Sequence, residues 1–351
     1  MIFEESSDLG AKKFLDEFAF EVQRQTLKKG VREEGKDGKK NISGRHFVNI
    51  SRHLFGAFLR FWKWDCLHFD LYIEHIGGSG TLWLYRTGNA GGLSRRSHYV
   101  NTVRDEGKKV LLLDGGDALA IGQPANERER EKARKRAEFI LKIYGKMGYD
   151  AVNVGDTDLV LGLEYLRTLH KHSVIPFLSA NLREKKTGKT VFKPYLIKEV
   201  HGLKVGIIGL VTQDIQPSVL NEREGYFVED PVKAATDTIK GALLDCDIII
   251  ALVHLNHSEI ESFAQKAPKI LIIIGGHDRA YMDAKMINRS LWVQTDAFGF
   301  QIGRLDVRWG KGSSDFQCEN FLTVLHPEMK TDPEIEEMIG SSGDILKRPM
   351  P

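Results

Sequence analysis

Short apolar runs, each closed by a glycine or a polar residue, recur through the middle of the chain. Lys109 to Leu113, Ala151 to Val154, Ile175 to Ala180, Asp247 to Val253 and Ile270 to Ile274 are too short for stable helices. The last two are near-continuously apolar, which predicts strands of a sheet covered on both faces. Between these runs the hydrophobic period lengthens. Asn126 to Lys146, Leu161 to His170 and Pro231 to Leu244 predict helices, the last with a proline where its missing N–H is harmless. Tyr195 to Val200 and Lys204 to Leu210 flank His201-Gly202-Leu203 and predict a hairpin. Strands prevail to about Leu325, and a helix follows.

The first part of the chain lacks this alternation. Lys28 to Lys40 is rich in charge and glycine and reads as linker, while Phe14 to Leu27 has the spacing of an accessory helix. The expected organisation is an irregular N-terminal extension over 1–65, one α/β domain over 66–327, and a C-terminal helix and tail over 328–351.

Charge and composition narrow the function classes. Fifty Lys plus Arg against 48 Asp plus Glu leave a formal charge of +2, too even for broad electrostatic capture of nucleic acid or anionic membrane. No apolar run approaches the roughly 18 residues of a membrane span. No apolar leader opens the chain, so the sequence as written reads as cytoplasmic. Cys66, Cys246 and Cys318 stand far apart, without the spacing of a cysteine metal site or a disulfide framework. The loop Gly77 to Gly80 lacks the lysine and register of a phosphate-cradling motif and reads as a turn.

Four predicted strands end in a residue able to bind a metal: Asp117, Asp156, His254 and His277. An aspartate after a strand often caps a helix, and a strand-end histidine is often a hydrogen-bonded core residue. Ligand sites of open α/β sheets lie at the carboxyl ends of the strands, so all four could share one crevice. Two carboxylates with two imidazoles suit a divalent ion such as Mn, Zn or Fe.

The order and spacing of the blocks "VLLLDGGDALAIG", "KMGYDAVNVGDTDLVLG", "PFLSANL", "FKPYLIKEVHGLKVGIIGLVT", "DPVKAA", "DIIIALVHLNH" and "ILIIIGGHDR" resemble the calcineurin-like metallophosphoesterase domain of bacterial 5′-nucleotidases. "GGLSRRSHYVNTVR" is similar to the family's segment after its first metal motif. The resemblance implies a four-layer α/β/β/α sandwich and a divalent-metal phosphoesterase acting on a small phosphoester, a nucleotide among the candidates. It also implies a site for two ions (Mn, Zn, Fe or Mg), of which this chain keeps the ligands for one. Members of the family are often exported, and full-length ones carry a further C-terminal domain for which no length remains here.

Carried over by motif, Asp117 would bridge two metals, and Asp156, His254 and His277 would complete one site. Thr157 stands where the family keeps a catalytic histidine, and threonine cannot deliver a proton near neutral pH. Arg279 replaces the second histidine of the Gly-His-x-His motif. It would contact phosphate, or else pair with Asp278 or Asp296. The opening Asp-x-His motif is the least clear: Asp70 is one candidate ligand, but Tyr72 then fills the histidine position, and Glu74 or His75 are alternatives. The resulting expectation is a phosphoester hydrolase of weak or altered activity, with a non-catalytic binder of metal, nucleotide or protein as the alternative.

Overall fold

A computed structural model describes residues 90–342 apart from 121, 216–224, 268, 279–280, 297–298 and 310–315, together with strands at Arg45–Val48 and Leu67–Glu74. The expected helix at Phe14 to Leu27, the linker, Cys66 and Arg279 lie outside the described residues. The compact unit containing all described elements runs from Ser43 to Pro351.

Two sheets form the centre. The first has seven strands: β1 (Arg45–Val48), β15 (Phe316–Val324), β14 (Gln301–Trp309), β2 (Leu67–Glu74), β3 (Val110–Asp114), β4 (Ala151–Asn153) and β5 (Phe177–Leu178), in that order across the sheet. Strands β2 to β5 run parallel, and β14 and β15 run antiparallel beside them. Because β1 pairs with β15, the sheet reaches back into the region expected to be an extension.

The second sheet has six strands, ordered β12 (Met282–Ile287), β13 (Ser290–Gln294), β11 (Ile272–Gly275), β10 (Ile248–His254), β8 (Leu203–Val211) and β7 (Tyr195–Val200). Its four central strands are parallel, with an antiparallel strand at each edge. The hairpin between β7 and β8 turns on His201 and Gly202, at φ 52° and 76°. This is a two-residue turn whose twist matches that of the strands. A small ribbon pairs β6 (Leu182–Glu184) with β9 (Tyr226–Val228).

Alternation along the strands explains the layers. On β10, Ile248, Ile250 and Leu252 join Leu111, Leu113, Leu305 and Val307 of the first sheet in the core between the sheets. Ile249, Ala251 and Val253 face the other way, against Ala234, Ala235, Ile260 and Phe263. Those residues belong to α4 (Pro231–Thr238) and α5 (His257–Lys266). The outer face of the first sheet, through Leu112, Val152 and Phe177, packs on α1 (Leu93–Asp105), α2 (Glu127–Met147) and α3 (Leu163–His172). A last helix, α6 (Pro333–Ser341), buries Ile335 in the same cluster. The result is the expected four-layer α/β/β/α sandwich.

Two expected helices differ from their periodicity, one by a shift and one by a change of winding. Gly162, at φ 92°, separates a 3₁₀ turn over Thr157–Leu161 from α3. The helix from Pro231 continues past Thr238 as a π-helical turn over Ile239–Leu243. The two described cysteines, Cys246 and Cys318, are free thiols. Among the described residues, no helix is long and apolar enough to cross a membrane.

Candidate metal centre

Parallel strands bring the four candidate ligands together, because every strand of a parallel set presents its carboxyl end on the same side. Asp117 follows β3 and Asp156 follows β4 in the first sheet, while His254 ends β10 and His277 follows β11 in the second. His254 Nε2 lies 3.2 Å from Asp117 Oδ2 and 3.0 Å from Asp156 Oδ1. His277 Nδ1 approaches the same Asp156 oxygen at 3.3 Å. The two imidazoles meet edge to face, with centroids 5.1 Å apart. His254 is fully buried and both carboxylates nearly so, whereas His277 is partly open to solvent.

Glycines make this approach feasible. A Cβ on Gly116 would stand 2.7 Å from His254 Nδ1, and one on Gly155 would stand 2.1 Å from Asp117 Oδ1. Asp117 itself takes φ 59°, a region that aspartate enters more readily than most residues.

Asp158 ties the two carboxylate loops to each other. Its side chain accepts the N–H groups of Asp117, Leu119, Ala120 and Gly155 at 2.9 to 3.2 Å. Burial, reinforced by the charge of Asp117, pushes its carboxyl up to about 8 against the pull of those N–H groups. Beneath the first loop, Asp114 accepts from Gly116 N–H at 2.8 Å and from Tyr144 Oη–H at 3.0 Å. Burial raises the Asp114 carboxyl to about 7, opposed by those bonds and by the charge of Arg96. Sequence reasoning assigned no role to Asp114 or Asp158. Their signal was the acidic residue three places before Asp117 and two after Asp156, a spacing that also suits an ordinary turn.

The electrostatics fit a cation. Burial opposes ionisation of Asp156, but the hydrogen bonds and charges of His254 and His277 hold its carboxyl well below the usual range. Burial alone would lower the His254 imidazole; Asp117 and Asp156 instead hold it well above its ordinary value. Donor atoms of Asp156, His254 and His277 all lie within 4.8 Å of one another, a mixed oxygen and nitrogen set with Asp117 at its border. A divalent ion would satisfy all four in place of the shared proton.

The remaining expected residues fall differently. Thr157 opens the 3₁₀ turn beside the cluster, and its backbone N–H donates to Asp117 Oδ1 at 2.9 Å. Asp70 pairs in register with Val110, at the opposite end of β3 from the loop that carries Asp117. The β2 residue level with Asp114 is Glu74, four positions on. Arg279 lies outside the described residues, and its neighbour Asp278 turns toward α5.

Comparison with known proteins agrees with this architecture. No family model matches the chain. Protein UshA of Salmonella pullorum is 28% identical over 311 residues, covering 77% of this chain and 54% of the relative. A 5′-nucleotidase of Vibrio cholerae is 27% identical over 304 residues, covering 75% of this chain and 53% of the relative. The chain thus spans about half the length of these curated relatives. Among solved structures, the calcineurin-like phosphoesterase YfkN of Bacillus subtilis superposes with a TM-score of 0.68 at 21% identity, covering 80% of this chain and 98% of the other. The chain thus has the fold of the calcineurin-like phosphoesterases, is similar in sequence to UshA and the 5′-nucleotidases, and gathers acidic and histidine side chains at four strand ends.

Proposed function

We propose that this domain is a metal-dependent phosphoester hydrolase whose second metal position is altered. The observation that carries the reading is the convergence of Asp117, Asp156, His254 and His277 from two sheets onto one crevice. When bound there, a divalent ion such as Mn, Zn, Fe or Mg supplies Lewis acidity and a water of lowered pKa. Asp156 and His254 are buried donors, the Asp158 side chain fixes both loops, and the partly exposed His277 faces the solvent from which substrate arrives.

The substrate class we favour is a small phosphomonoester, with nucleotides first because a 5′-nucleotidase is among the relatives. Arg279 would supply a fixed charge to the phosphate in place of a second ion. Glu74, the last residue of β2, would be the next donor if a second ion binds.

Loading the purified protein with each metal in turn and following phosphate release from nucleotides and simple phosphoesters tests the reading. Divalent-metal-dependent turnover is expected, falling to background in His254→Ala. Absence of turnover across the panel, with metal bound, would favour the second reading: a binder without catalysis. Thr157 motivates that alternative, since a hydroxyl cannot replace an imidazole as proton donor at neutral pH.

A further inference from the structure

A second polar cluster sits behind His277, built from Asp278, His257 and Gln294. His257 is the first residue of α5, and its backbone N–H donates to Asp278 Oδ2 at 2.6 Å. The His257 ring places Nδ1 3.7 Å from the same oxygen. Gln294, at the end of β13, donates through Nε2 to the Asp278 carbonyl and stands 3.2 Å from His257 Nε2. The carbonyl can only accept, so this end of the Gln294 side chain is its NH₂ group, and its second hydrogen faces His257 Nε2. His257 Nε2 therefore accepts, and in the neutral ring the proton lies on Nδ1, toward Asp278. With one nitrogen turned to Gln294 and the other to Asp278, His257 is not poised to replace the histidine that Thr157 has displaced.

The arrangement has a simple physical cause. The first turn of a helix leaves its N–H groups without intrahelical partners, and its positive end favours a carboxylate. Asn256 satisfies the N–H of Glu259, and Asp278, from the loop after β11, satisfies that of His257. The cluster is closely walled. A Cβ on Gly275 would lie 2.4 Å from Gln294 Oε1 and 2.7 Å from Trp292 Nε1, and His257 packs edge-on against Trp292 at 5.2 Å. His277 is thus followed at once by a residue held at both its carboxylate and its carbonyl.

We propose that Asp278 is the positioning residue of this loop: by capping α5 and bonding Gln294, it holds the His277 imidazole against Asp156. Asp278 and His257 are each only about a third exposed at the side chain (35% and 34%), so their contact is sheltered but can be altered without opening a core cavity. Its consequence, tighter capture of a divalent cation, rests on the metal-binding reading above. The contact itself does not.

The test compares wild type with Asp278→Ala and Asp278→Asn by imidazole NMR of the metal-free protein and by cobalt(II) titration. Asparagine keeps an oxygen acceptor for the His257 N–H, whereas alanine removes it. Asp278→Ala is expected to shift or broaden the His277 ring signals and weaken cobalt binding about 10- to 100-fold. Asp278→Asn is expected to restore both toward wild type. Unchanged His277 signals in Asp278→Ala, or an asparagine variant as impaired as the alanine one, would overturn the proposal. If wild type binds no cobalt while Asp278→Ala still disturbs His277, the positioning role stands and the metal reading falls.

Discussion

Thr157 shows how closely a single residue can stand to the chemistry without supplying it. Its backbone N–H already bonds Asp117 Oδ1, so the position is held by the main chain whatever the side chain is. Replacing it with histidine keeps that bond and adds a titratable ring beside the cluster. Thr157→His is therefore expected to raise the turnover of the metal-loaded protein, by up to the ~10²-fold that an acid–base group contributes at the low end of its range. Steady-state rates across pH would show a new ionisation near neutrality; a variant with an unchanged rate and pH profile would show that proton donation does not limit the reaction. The glycines around the cluster act in the opposite sense. Gly116 and Gly155 contribute only the absence of a side chain, and that absence lets His254 and Asp117 close to hydrogen-bonding distance.

The elements were legible where local chemistry marks their ends. Asn126 accepts the Glu129 N–H at the start of α2, and Gly148 closes the same helix at φ 75°. Both are the residue types that helix termini favour. Asn126→Ala is expected to lower stability by ~1 kcal/mol, read from urea unfolding followed by circular dichroism. The strands β3, β4, β10 and β11 fell where short apolar runs predicted them, since two-sided burial leaves a strong pattern. The expected strand at Ile175 to Ala180 shrank to Phe177–Leu178, as Ser179 and Ala180 bond instead to Lys193 and Gly209 across the fold. The helix expected from Leu161 begins only after Gly162, whose left-handed backbone interrupts it. Neither change leaves a mark in hydrophobic periodicity, because each depends on a partner distant in the chain or on a backbone angle.

At the scale of the whole molecule, the candidate centre is also a clasp between the two sheets. Asp117 and Asp156 come from one sheet, His254 and His277 from the other. The raised pKa of His254 means that the metal-free folded state binds its proton more tightly than the unfolded chain does. That stabilisation is complete below about pH 6.5, the unfolded value, and is lost as pH rises through the folded one. The depressed Asp156 carboxyl contributes above its unfolded value near pH 4, and fades only as pH falls toward its lowered folded value. Chelator-treated protein is thus expected to be more stable near pH 6 than near pH 9, and His254→Gln to reduce that difference, the rest coming from the raised carboxyls of Asp114 and Asp158. A divalent ion requires the neutral imidazole, so its stabilising effect should grow in the same direction as the proton's fades. Denaturation midpoints at the two pH values, with and without metal, measure both.

From the sequence came the alternation of strands and helices and the four residues at strand ends, and from its family resemblance the four-layer class. Each of these depends on patterns within a few residues or on the order of blocks along the chain. Sequence reasoning could not decide among Asp70, Glu74 and His75, because a ligand's place in a sheet depends on register, and register is a relation between strands. Pairing β2 with β3 sets Asp70 beside Val110 and Glu74 beside Asp114. It likewise could not show that Asp158 gathers N–H groups from two loops, or that Asp278 caps a helix that begins 21 residues before it. Those partners are brought together only when two sheets pack through a common core, since the apolar faces that drive packing carry the polar loops with them.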